Sequence, residues 1–219
     1  MRLPIGRHEN DTNTMKEIKT IIFDLGGVLI DWNPEYVYLK EFRGDRAKMD
    51  WFLEHVCAWT WNVNQDAGYP IAQATQERIA LFPEYEALIK MYYGRWEEML
   101  GFTHEGTLSI LKKLVDNPKY RVLALTNWSG ETWPKAIAKF SWLQWFEGIL
   151  VSGDEKMRKP YASIYNLMLD RYHIQAEEAV FIDDSYANVQ GCEAVGMKGI
   201  HFKDAVTLEI QLRTLGITV

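Results

Sequence analysis

Four short segments of this 219-residue chain carry side chains able to do chemistry together: Asp24 followed by Leu-Gly-Gly, Thr126-Asn127, Arg158-Lys159-Pro160, and the adjacent carboxylates Asp183-Asp184. Carboxylates can share a divalent cation, a hydroxyl can hold a phosphate oxygen, and a lysine can neutralise charge developing on a transferred group. An ion such as Mg2+ is usually held by one or two carboxylates plus phosphate oxygens. Each segment alone has a plainer reading. Asp24 can be satisfied by loop amides, Thr126 can be a buried β-branched residue, Lys159 a solvated lysine, and one of Asp183-Asp184 a helix cap. Two adjacent carboxylates without a cation would repel each other, which favours a metal at Asp184.

The elements that must position these residues are five brief apolar runs, Thr20–Asp24, Arg121–Thr126, Gly148–Val151, Ala179–Asp183 and Lys198–Phe202. They are continuous and rich in β-branched and aromatic residues, as strands covered on both faces of a parallel sheet are. Pro160 suits a first helical turn, and Ile164, Leu167, Met168 and Tyr172 follow at spacings of three and four. A second helix is expected from Ser185 to Val195, stopping at Gly196. Strand alternating with helix implies a doubly wound, Rossmann-like α/β sheet, and in such sheets ligands bind at the carboxyl ends of the strands, where all four segments fall. About 95 residues separate Asp24 from the next strand, far more than a crossover needs. The excess reads as an inserted helical cap over residues 33–105 with no clear strand, its first helix opened by Asn33-Pro34. The core is then 17–32 and 106–219, and residues 1–16 are a loose polar tail.

With 47% apolar and 25% charged residues and a net charge of −6, the composition is that of an ordinary globular protein and offers no basic field for nucleic acid. An anionic ligand must be held locally. No apolar run approaches the roughly 20 residues of a membrane helix and no secretory signal is present, so no membrane partner and a cytoplasmic location are expected. Cys57 and Cys192 read as buried thiols. Among nine tryptophans, Trp51, Trp59, Trp61 and Trp96 are expected in the cap core, whereas Trp32 and Trp128 each follow a motif and can line a pocket mouth. The histidines show no ligand pairing.

The ordered set Phe-Asp-Leu-Gly-Gly-Val-Leu, Leu-Thr-Asn, Arg-Lys-Pro and Phe-Ile-Asp-Asp-Ser-Tyr-Ala-Asn resembles the haloacid dehalogenase superfamily over residues 18 to 205. The likeness is strongest to the subfamily with a helical cap inserted after the first strand, which includes sugar-phosphate phosphatases and the phosphatase domain of soluble epoxide hydrolases. The resemblance implies Mg2+ as cofactor, with Asp24 as nucleophile and metal ligand, the Gly26 carbonyl and Asp184 as further ligands, and Asp183 and Asn188 behind them. It also implies that Thr126 and the Asn127 backbone bind the phosphoryl group and that Lys159 pairs with both nucleophile and phosphate.

One departure matters. Most phosphatases of that superfamily carry an aspartate two residues after the nucleophile to protonate the leaving oxygen, and here that position is Gly26, which cannot transfer a proton. Asp31 is a candidate substitute, more simply read as a structural carboxylate. The reading is thus a Mg2+-dependent phosphomonoester hydrolase acting on a small-molecule phosphate ester, such as a hexose 1-phosphate, as a monomer or homodimer. Two alternatives are a metal-free haloacid dehalogenase and a catalytically weakened phosphate-binding regulatory module.

Overall fold

A computed structural model describes residues 16–219; the tail reading falls almost wholly outside them. The apolar runs form β1 (Thr20–Phe23), β4 (Arg121–Thr126), β5 (Gly148–Val151), β6 (Ala179–Asp183) and β7 (Lys198–His201), in one parallel sheet of order β5-β4-β1-β6-β7. Because neighbouring residues of a strand face opposite ways, Ile21, Phe23, Val122, Ala124, Val180 and Ile182 join one apolar cluster, while Ile22, Leu123, Leu125 and Phe181 join a second on the other face. The chain lays β4 and β5 on one side of β1, then crosses to lay β6 and β7 on the other. The direction of winding reverses beside β1, which opens a crevice at the strands' carboxyl ends.

The helices α7 (Glu105–Val115), α8 (Trp133–Lys139), α9 (Ser152–Glu155), α10 (Ala162–Arg171), α11 (Tyr186–Glu193) and α12 (Ala205–Thr214) belong to the sheet-bearing part. Leu111, Leu114, Leu208 and Leu212 of α7 and α12 cover one face, and Ile164, Tyr165, Met168 and Cys192 of α10 and α11 cover the other. The α10 helix begins at Ala162, two residues later than Pro160 suggested, so Pro160 lies in the loop with Lys159. Gly196 does stand beyond α11 in the left-handed region, at φ +92°.

The insert holds α1 (Glu35–Glu41), α2 (Arg46–His55), α3 (Trp59–Gln65), α4 (Ile71–Leu81), α5 (Glu86–Gly94) and α6 (Trp96–Met99). Glu35 N–H donates to Asn33 Oδ1 at 2.9 Å where the first of these starts. The insert also contains a strand, contrary to the reading of its sequence: β3 (Leu100–Thr103) pairs antiparallel with β2 (Ile30–Trp32), with a register shift between Ile30 and Trp32. This ribbon carries the chain out of the sheet and back. Val37, Tyr38, Phe52, Trp61, Ile89, Tyr92 and Trp96 of the insert lie in the same apolar cluster as the first face of the sheet, so the insert and the sheet share one continuous core. Trp61 and Trp96 are buried as expected; Trp51 and Trp59 are exposed.

Candidate active site at the carboxyl ends of β1, β4 and β6

Asp24 stands one residue beyond β1 but is still fixed by the sheet, because its N–H donates to the Ile182 carbonyl at 2.8 Å. The Leu25 N–H donates to Asp24 Oδ1 at 2.7 Å and orients the carboxylate. The chain then turns at once, with Gly27 at φ +72° and its N–H donating to the Ile30 carbonyl at 2.9 Å. A Cβ on Gly27 would lie 2.3 Å from Asp184 Oδ2. Glycine is therefore required twice, by the left-handed backbone and by the approach of Asp184. A Cβ on Gly26 would meet nothing within 4 Å.

Lys159 is the cation buried among the carboxylates. Its Nζ is 2.9 Å from Asp24 Oδ1 and 2.7 Å from Asp183 Oδ2, and it also donates to the Leu125 carbonyl at 3.2 Å. Burial acts to lower the Lys159 pKa, but Asp183 and Asp24 outweigh it and the net shift is upward. The Asn127 amide grips the lysine's backbone from both sides, accepting from Lys159 N–H at 2.9 Å and donating to its carbonyl at 3.2 Å. Asp183 is fully engaged: beyond Lys159 it accepts from Ser185 N–H at 2.8 Å and from Asn188 Nδ2 at 3.0 Å. Its oxygens are committed to holding Lys159 and the start of α11 in place.

The carboxylates of Asp24, Asp183 and Asp184 each offer an oxygen within 4.8 Å of the others. Burial pushes the Asp24 carboxyl well up; Lys159 opposes this, and Asp183 and Asp184 add to it. Asp184, open to the cavity, is likewise raised by partial desolvation and by Asp183. A divalent cation among the three carboxylates would oppose these upward shifts and, with the one ammonium of Lys159, match the charge of the three carboxylates in their ionised form. An all-oxygen donor set also suits a hard ion such as Mg2+. The residues present fit the group.

These side chains open on a cavity of about 460 Å³ lined by Asp24, Gly26, Gly27, Asn127, Lys159, Asp184 and Asn188 from the sheet side, and by Trp32, Trp59, Asn62, Asp66 and Trp96 from β2 and the insert. Trp128, Arg158, Pro160, Ser185 and Ala187 complete the wall. Thr126 is not among the lining residues; it is buried at the end of β4. Asp31 is absent from the wall as well; it accepts a hydrogen bond from the Tyr36 hydroxyl instead. The described histidines do not line the cavity either. Trp32 and Trp128 do, and the indole N–H groups of Trp32, Trp96 and Trp128 are buried without a hydrogen-bond partner in the protein.

Asp66, Asn62, Arg158, Trp59 and Trp96 were not identified from the sequence as cavity residues. The polar run Asn62-Val-Asn-Gln-Asp66 ahead of Gly68 carries no local signal of this; only the fold shows that Asn62, Gln65 and Asp66 at the end of α3 are buried.

Known proteins resemble this chain over most of its length. The model of the haloacid dehalogenase-like hydrolases matches residues 18–196. A sesquiterpene phosphatase of Aspergillus oryzae is 26% identical over 201 residues, spanning 90% of this chain and 96% of the relative. A glyceraldehyde 3-phosphate phosphatase of Pyrococcus furiosus is 24% identical over 216 residues, spanning 90% and 86%. A crystal structure of a HAD family enzyme from Bacteroides thetaiotaomicron, in complex with magnesium and inorganic phosphate, has a TM-score of 0.63 at 23% identity over 85% of this chain and 95% of that one.

Proposed function

The chain belongs to the haloacid dehalogenase-like hydrolases, and from that premise we propose that it is a magnesium-dependent phosphomonoester hydrolase in which Asp24 is transiently phosphorylated. The observation that carries this reading is Lys159 Nζ buried between Asp24 and Asp183, at 2.9 and 2.7 Å, with Asp184 beside them. The lysine pulls Asp24 toward its ionised form against burial and aims it, since Leu25 N–H and Lys159 together fix Oδ1. Asp24, the Gly26 carbonyl and Asp184 would hold Mg2+, which when bound offsets the charge of the carboxylates and the phosphoryl oxygens. Asp24 attacks phosphorus in line, and water then releases phosphate and restores the carboxylate. The Asn127 backbone and Lys159 are assigned to the phosphoryl oxygens, while Asp183 and Asn188 hold Lys159 and α11; Thr126, buried at the end of β4 and off the cavity wall, takes no such part. The insert acts as the cap that excludes bulk water and selects the ester.

The organic part of the substrate faces the indoles. Trp32, Trp59, Trp96 and Trp128 line the cavity; Trp59 is exposed while Trp96 and Trp128 are buried, and an indole of this kind suits stacking on a sugar ring. A cavity of about 460 Å³ is within the range of small-ligand sites. These features support a small sugar phosphate, such as a hexose 1-phosphate. The phosphatase names of the relatives support phosphate esters over halogenated acids. So do the carboxylates, which without a cation would repel an anionic acid.

Phosphate release from a panel of hexose 1-phosphates and 6-phosphates, with and without EDTA, tests the reading. Turnover should require Mg2+ and fall to background in Asp24→Asn. Turnover that survives EDTA or the Asp24→Asn change sinks it, and chloride release from 2-chloropropionate would put a dehalogenase in its place.

A further inference from the structure

We propose that Asp66, presented by the insert at the end of α3, donates the proton to the leaving-group oxygen and thereby fills the role that Gly26 cannot. The proposal rests on the phosphatase reading and deepens it. Asp66 is 4% exposed and lines the same cavity as Asp24, Lys159 and Asp184, yet it stands outside the close group of carboxylates that would share the cation. Its place is on the insert's side of the cavity, the side assigned to the organic part of the ester, so it is on the path of the departing alcohol.

Elimination leads to the same residue. The ionisable side chains on the cavity wall are Asp24, Asp66, Arg158, Lys159 and Asp184. Asp24 is the nucleophile and Asp184 faces the cation. Lys159 is bound to two carboxylates that strengthen its hold on its proton. Arg158 is a guanidinium, a fixed cation. Asp66 remains, and its surroundings suit an acid. Burial pushes its carboxyl up to about 7, against the downward pull of Arg158, Lys159 and the Ser129 backbone amide. Near neutral pH it therefore carries a proton for much of the time and can both give and regain it.

The local structure holds it in position. The Tyr93 hydroxyl donates to Asn62 Oδ1 at 2.9 Å, which sets the amide so that Asn62 Nδ2 donates to Asp66 Oδ2 at 3.3 Å. The Ser152 hydroxyl donates to the Asp66 carbonyl and accepts from Trp128 N–H at 2.9 Å, tying the insert's loop to the loop after β4. Gly68, at φ +83°, lets that loop press on α9: a Cβ there would lie 2.6 Å from the Gly153 carbonyl oxygen. The groups facing Asp66 are thus Asn62 of α3, Tyr92 and Tyr93 of α5, the Ser129 amide, and Arg158 and Lys159.

In the first step Asp24 forms an O–P bond as the P–O ester bond breaks. The bonding pair goes to the ester oxygen, and the Asp66 proton joins it to release the alcohol. In the second step water attacks phosphorus, its proton returns to the Asp66 carboxylate, and phosphate leaves Asp24. The sum is ester plus water to alcohol plus phosphate.

The test compares kcat/KM of wild type and Asp66→Asn on an alkyl ester, the best substrate among hexose 1- and 6-phosphates, and on p-nitrophenyl phosphate, whose leaving group needs little protonation. Both esters pass through the same phosphorylated Asp24, so kcat/KM reports only the step in which the alcohol departs. The alkyl ester should lose about 10² to 10⁴ and the aryl ester less than about tenfold. The wild type alone should show a fall in alkyl kcat/KM as pH rises through about 7. Gly26→Asp, whose Cβ has open space, should restore alkyl turnover to Asp66→Asn. Equal losses on the two esters, no loss on the alkyl ester, or a wild type that hydrolyses p-nitrophenyl phosphate and no alkyl ester overturns the proposal while leaving the phosphatase reading intact. No turnover of any ester overturns both. Should Asp66→Asn fail to fold, the wild-type pH limb and the selectivity of Asp66→Glu decide.

Discussion

At the scale of single residues, the cavity concentrates groups whose ionisation is set by burial, and Asp66 shows the consequence for stability. Its carboxyl is raised from 3.8 to about 7 in the fold, so between those values the folded chain binds a proton that the unfolded chain has released. Stability from this group is fully present below about pH 4 and is lost as pH rises through 7. The shift corresponds to roughly 4 kcal/mol at about 1.4 kcal/mol per unit. Asp66→Asn has no proton to lose. Urea midpoints should therefore place the variant level with wild type near pH 4 and above it at pH 8, the pattern of a site that gives up stability for function. Parallel curves across that range would refute the burial argument for Asp66.

Among the elements, the first turn after β1 does the most to shape the metal-binding carboxylates. Gly27 combines φ +72° with a gap that Asp184 Oδ2 occupies. Gly27→Ala should cost about 1–2 kcal/mol for the backbone and, by displacing Asp184, raise the Mg2+ concentration for half-maximal activity about tenfold or more. An unchanged Mg2+ titration with a lowered urea midpoint would mean that Asp184 does not depend on this turn. The strands of the main sheet were readable because each is a short, unbroken apolar run. The β2–β3 ribbon was not, since three or four residues with a shifted register carry no period to recognise. The late start of α10 escaped for a related reason: proline suits the first helical turn and the loop before it equally well.

Over the whole molecule, a chain of net charge −6 gathers three carboxylates around one buried ammonium. The apo site carries unfavourable repulsion that a divalent ion relieves. Saturating Mg2+ should raise the melting temperature, by about 2.7 kcal/mol of stability at one hundred times its dissociation constant, and Asp184→Asn should remove that response. A melting temperature indifferent to Mg2+ in the wild type would count against a cation site. The acidic surface also means that affinity for an anionic ester comes from the cavity wall rather than from the protein's overall field.

Sequence alone determined the sheet and the residues at its carboxyl ends, because the burial pattern of a strand and the chemistry of its last residue are local properties written in consecutive positions. It also exposed the vacancy at Gly26, for the same reason. What answers that vacancy was decided only in three dimensions. Asp66 lies 42 positions after Asp24 in the sequence, and nothing in its own neighbourhood says which cavity it will face or how far from water it will lie. Thr126 illustrates the converse, since its place in a motif did not disclose that its side chain would sit buried below the wall. Depth of burial belongs to the packed whole, and with it the proton affinity on which the chemistry turns.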